Sequence, residues 1–113
     1  MNYSIETTDD FERAFKRLFK KYHSLKNDVS DLVKELRKTP TMGDDLGDNT
    51  RKVRMAITSK GKGKRGGARI ITCTVLIDVE LTKIYLLNIY DKGEQDSISS
   101  NEIEILKRRN GLL

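Results

Sequence analysis

At 113 residues, 36% of them hydrophobic and 35% charged, the chain suits one domain, residues 1–113, with a core of moderate size. A single cysteine, Cys73, excludes an intramolecular disulfide scaffold, and the apolar runs are too short for a signal peptide or a membrane-spanning helix, so a cytoplasmic protein with no membrane partner is expected. The formal net charge is +5, yet residues 51–70 alone hold eight Lys or Arg and no acid, leaving −3 for the rest; charge concentrated in this way aims a positive potential at a polyanion such as nucleic acid.

Tyr3 and Ile5 alternate with polar residues and read as a short strand. Asp9 and Glu12 have the spacing of a capping box, which predicts a helix start with Asp9 as the cap. Phe11, Phe15, Leu18 and Tyr22 recur at helical spacing, with Lys16, Arg17, Lys20 and Lys21 between them. A second stripe, Leu25, Val29, Leu32, Val33 and Leu36, runs to Thr39-Pro40, where the proline disfavours helical geometry in its predecessor. The result is a helical hairpin that breaks at either Ser24 or Asn27, since both can cap, with His23 in a surface or capping role at the junction.

Met42 to Asn49 has no periodicity and reads as a loop. In residues 51–57, Val53, Met55 and Ile57 share one face of a strand while Lys52 and Arg54 take the other. After the glycine-rich stretch Gly61–Gly67, residues 68–77 are continuous and β-branched, as in a well-buried strand, and the outward parity of Arg69 there predicts a solvent-facing charge. Asp78 to Thr82 is a turn and Lys83 to Lys92 a further strand. Ser99 and Glu102 repeat the capping-box spacing, with Ile98 as a hydrophobic staple, and open a short helix that turns Ile103 and Leu106 inward. The order β-α-α-β-β-β-α predicts an α+β fold, an N-terminal strand and helical hairpin on a small, mostly antiparallel sheet, with the helices against one sheet face.

Gly61-Lys62-Gly63-Lys64-Arg65-Gly66 matches G-x-G-x-x-G, but a dinucleotide site needs a helix after the glycines and a β-branched strand follows here. No Lys-Ser or Lys-Thr pair follows either, which excludes a P-loop. A flexible cationic loop remains, in which Lys60, Lys62, Lys64 and Arg65, with Arg51 before them, are expected to contact RNA phosphates while the glycines let backbone approach the chain.

Taken together, Lys52-Val53-Arg54-Met55-Ala56, the run Gly66-Gly67-Ala68-Arg69-Ile70-Ile71, and Ile84-Tyr85-Leu86-Leu87-Asn88-Ile89-Tyr90-Asp91-Lys92 resemble a RelE/HigB-type toxin of bacterial toxin–antitoxin systems. The resemblance implies a microbial-RNase-like sheet that enters the ribosomal A site and cleaves messenger RNA with no metal or cofactor. Its implied partners are the ribosome, messenger RNA and a cognate antitoxin of helix-turn-helix type. Lys52, Arg54, Arg69 and Lys92 match the family's basic positions and are its implied catalytic set. Several family members use a Tyr or His near the C-terminus to handle a proton; no Tyr or His follows Tyr90 here, so Tyr90 becomes the candidate for proton transfer. Two other readings share the features: a ParE-like relative that acts on DNA gyrase by protein contact, and a non-catalytic RNA-binding protein.

Overall fold

The computed structural model describes residues 2–113. In chain order these form β1 (Asn2–Thr7), α1 (Asp9–Phe19), α2 (Leu25–Lys38), β2 (Asp44–Gly47), β3 (Thr50–Met55), a 3₁₀ turn (Thr58–Lys60), β4 (Ala68–Leu76), β5 (Leu81–Asp91) and α3 (Ser100–Arg109). The strands make one sheet in the order β1-β5-β4-β3-β2; β1 runs parallel to β5 and every other pair is antiparallel. The fold is α+β, as the sequence order predicts.

The first helix starts one residue earlier than its capping-box spacing suggests. Thr8, not Asp9, is the cap: its Oγ1 accepts from the Phe11 amide at 3.1 Å, and Glu12 accepts from Thr7 Oγ1 at 2.6 Å. The reason is tertiary, because the Thr8 amide extends the pairing of β1 by donating to the Leu86 carbonyl at 3.2 Å and so fixes where extended backbone ends. At the hairpin, Ser24 stands just before α2, its Oγ bonded to Asp28 Oδ2 and accepting from the Ser59 amide, each at 2.8 Å.

Residues 42–49, expected as a loop, contain the edge strand β2. It is exposed throughout, so no apolar alternation announces it; what forms it is a two-residue turn at Asp48 and Asn49, whose φ values of 50° and 59° match the twist of a tight hairpin.

Both faces of the sheet are buried, which corrects the expectation of helices on one face only. Phe11, Leu18, Leu25, Leu32 and Leu36 of α1 and α2 pack on Val53, Met55, Ile70, Ile84 and Ile89, while Ile103 and Leu106 of α3 close over Ile71, Leu87 and Tyr90 on the other side. An irregularity in β5 changes which of its residues face each side. Ile71 pairs with Asn88 but Thr72 pairs with Leu86, so Leu87 is a bulged residue and the alternation shifts by one: Ile84 and Leu86 before it and Ile89 after it all face α1 and α2, which puts Tyr90 under α3.

Asp10 anchors the far end of α3 to the first turn of α1. Its carboxylate accepts from Arg13 (2.7 Å), from Arg109 (2.9 and 3.2 Å) and from Asn110 (2.8 Å). Burial by itself would raise the Asp10 pKa, but the bonds from Asn110, Arg109 and Arg13 outweigh it and hold the group below 3.8. Its contribution to stability is therefore complete above that ordinary value and fades as pH falls through the lowered folded value. Asp10→Ala should cost about 2 kcal/mol, the scale of hydrogen bonds to a charged group. Hydrogen exchange checks the mechanism: amides of α3 should lose protection before those of the sheet.

Candidate nucleic-acid interface

Strand parity carries the basic residues to the α3 side of the sheet. Lys52 and Arg54 alternate with the buried Val53 and Met55, and register sets Arg54 opposite Arg69 and Arg69 opposite Tyr90, a row across three strands about 4.8 Å apart. Lys52 pairs with Ile71 on the same face. Like charges directly opposite one another destabilise a sheet, so the Arg54–Arg69 pairing needs an outlet.

The outlet is a turn inward. Arg69 is only 5% exposed, against the expectation of a solvent-facing charge. Its Nη1 donates to the carbonyls of Lys64 (2.8 Å) and Ala68 (3.1 Å), and its Nη2 to that of Arg65 (3.1 Å). The guanidinium thus binds the carbonyl side of the glycine loop and leaves Arg54 exposed at the surface.

Because of this clamp the loop is a folded turn. The Gly66 and Gly67 amides reach back to Lys62 and Lys64 at 3.3 and 3.4 Å, and the Lys92 amide donates to the Gly67 carbonyl at 2.9 Å. A side chain at Gly67 would place its Cβ 2.1 Å from the Met55 carbonyl oxygen, so this glycine is demanded by packing against the end of β3 rather than by approach to a ligand. Lys62, Lys64 and Arg65 point outward, and with Lys52 and Arg54 their side chains make no ion pair or hydrogen bond among the described residues.

Lys60 and Arg51 stand apart from this set. The Lys60 side chain is 17% exposed and its ammonium turns inward to Asp91 at 2.6 Å, and Arg51 lies on the opposite parity from Lys52, bonded to the Gly43 carbonyl at 3.2 Å and 4.0 Å from Asp45. Lys92 is on the interface side but engaged, donating to the carboxylate and the carbonyl of Asp96 at 2.7 and 2.6 Å.

Two further groups bear on chemistry. Tyr90 is 3% exposed and its hydroxyl is buried with no hydrogen-bond partner among the described residues. Burial raises its pKa, with the Arg69 charge opposing, so the phenol stays protonated at neutral pH. Asp96 is held below the ordinary carboxylate value by Lys92, with a smaller contribution from Lys52, and so stays ionised. Sequence reasoning overlooked Asp96; its one signal is the four-residue spacing from Lys92 inside a loop. At the sheet edge, a cleft of about 150 Å³ brings Arg54 and Lys64 near Asp31 and Glu35 of α2. Among the described residues no three His, Cys, Asp or Glu side chains gather into a metal site, and no helix is long and apolar enough to cross a membrane.

No protein-family model matches this chain. The site itself presents cations without ion pairs over one sheet face and its loop, a protonated phenol beneath them, and an ionised carboxylate beside them.

A buried hydroxyl with no partner costs about 1–3 kcal/mol in desolvation. Tyr90→Phe should therefore raise stability by about 1 kcal/mol, measured as a higher denaturation midpoint, while lowering any activity that uses the hydroxyl. A loss of stability would mean that the hydroxyl has a partner in solution.

Proposed function

We propose that this chain is a ribosome-dependent messenger-RNA endoribonuclease, the toxic member of a toxin–antitoxin pair acting in the cytoplasm. The observation that carries the reading is the concentration of Arg54, Lys52, Lys62, Lys64 and Arg65 over one sheet face and its loop, where their side chains make no ion pair or hydrogen bond among the described residues, an arrangement suited to a phosphate chain.

In this reading the 2′-hydroxyl attacks the adjacent phosphorus, the bond to the 5′-oxygen breaks, and the products are a 2′,3′-cyclic phosphate and a 5′-hydroxyl end. Lys52, Arg54 and the loop cations stabilise the charge that builds on the phosphoryl oxygens, where fixed positive groups do most good. Asp96, ionised beside Lys92, takes the 2′-hydroxyl proton. Tyr90, kept protonated, supplies the proton of the leaving 5′-oxygen once the α3 cluster over it opens. Arg69 contributes through the loop carbonyls that it holds. Seating on the ribosome is the step that supplies RNA in the attacking conformation, and a cognate antitoxin with acidic segments would meet a complementary surface.

The inward position of Arg69 also suits a protein that binds RNA without cutting it, and one experiment separates the readings. Induced expression should arrest growth, and mapped 5′-ends should fall inside translated regions; Arg54→Ala should lower cleavage about 10²-fold, the scale of one transition-state charge contact, at unchanged thermal stability because Arg54 is exposed. Intact transcripts that copurify with the protein would select RNA binding alone. Intact transcripts with double-strand DNA breaks would select a gyrase poison.

A further inference from the structure

Asp91 ends β5 one residue after Tyr90 but belongs to the other side of the sheet. It is 1% exposed, and its carboxylate accepts from Tyr22 Oη (2.6 Å), Lys60 Nζ (2.6 Å) and the Gly93 amide (2.9 Å). The Lys60 ammonium also lies 5.9 Å from the Tyr22 ring centroid, and a Cβ on Gly93 would come within 2.9 Å of it. One carboxylate therefore joins the α1–α2 junction, the start of the glycine loop and the turn that carries Lys92.

A buried ion pair is weak support for stability, because desolvating both charges offsets most of their attraction. What it fixes is geometry. The 3₁₀ turn before the loop is tied to α2 through Asp28, which accepts from the Thr58 amide (3.0 Å) and hydroxyl (2.6 Å), and the far base of the loop is held by Arg69. Lys60 supplies the side-chain anchor to the end of β5, beside the Ser59 amide bonded to Ser24 and the Lys92 amide bonded to the Gly67 carbonyl. Burial alone would raise the Asp91 pKa, yet the bonds from Lys60, Tyr22 and the Gly93 amide lower it, so the anchor stays charged at neutral pH.

We propose that Lys60 and Asp91 are positioning residues: they do not touch RNA, and their ion pair sets the height and angle at which Lys62, Lys64 and Arg65 meet the phosphate chain. This rests on the reading of the loop as an RNA contact, but the anchoring itself is measurable in the free protein. A sequence reading counts Lys60 as one more phosphate contact; the structure assigns it the opposite role, a cation spent inward to order the three that face out.

Salt dependence separates the two roles, because the slope of log K against log salt counts phosphate contacts, about 0.7 for each on a single strand. Affinity for a short oligouridylate would be measured over a salt series for the wild type and for Lys60→Met, Lys60→Arg and Lys64→Gln, with amide exchange across residues 61–67 in each free protein. Lys60→Met should bind about tenfold more weakly at an unchanged slope, with faster loop exchange; Lys60→Arg, which keeps the ion pair, should restore both, and Lys64→Gln should reduce the slope by about 0.7. A slope reduced in Lys60→Met as in Lys64→Gln would overturn the proposal, as would unchanged affinity and unchanged loop exchange. If Lys60→Met does not fold, Tyr22→Phe removes one donor from the same carboxylate and should give a smaller change in the same direction; no change in either measurement would again overturn it. If the wild type binds no oligouridylate, loop exchange still decides the positioning role, and the failure belongs to the RNA reading.

Discussion

Two arginines face each other across adjacent strands, Arg54 on β3 and Arg69 on β4, and the glycine loop is built over that opposition. Like charges directly opposite one another on adjacent strands are destabilising, and turning one of them away lessens the cost. Here Arg69 folds under the glycine loop and satisfies its donors on three backbone carbonyls, which at once relieves the repulsion and gives the loop a shape. The loop's outward cations then inherit the positive potential of the face.

The bulge at Leu87 shifts the side-chain alternation of β5 by one residue, and the consequence reaches the candidate site. Tyr90 enters the α3 cluster, while the next residue, Asp91, enters the polar node under α1 and α2. The proposed chemical groups and the proposed positioning pair thereby lie on opposite sides of a single layer, with the loop between them. The Asp10 anchor adds a third tie, since it holds the end of α3, the helix that covers Tyr90. Access to the phenol is thus linked to the stability of α3 rather than to any movement of the sheet.

Much of this was legible in the sequence where periodicity is long. The stripes of α1 and α2, the parity that puts Lys52 and Arg54 opposite Val53 and Met55, and the Ser99 cap all follow from local spacing. Local spacing fails where the deciding partner is distant. Thr8 displaces Asp9 as cap because it also pairs with Leu86, and Lys60 leaves the loop's outward set because its carboxylate lies 31 residues away. Arg69 has outward parity as expected, but its burial depends on carbonyls presented by a turn whose shape no periodicity encodes. β2 was hidden for a simpler reason: an exposed four-residue edge strand buries nothing and so has no pattern to read.

If this face positions RNA for attack by its own 2′-hydroxyl, as proposed, the nucleotide at the cut must carry that hydroxyl. The most direct measurement programs ribosomes with a defined messenger, identifies the nucleotide at which the purified protein cuts, and then places a single 2′-deoxy substitution at that nucleotide. The account predicts that cleavage there disappears while binding to the programmed ribosome is retained, and that the uncut site is left without a cyclic phosphate end. Continued cleavage at the deoxy position would contradict it, since the nucleophile would then have to come from elsewhere.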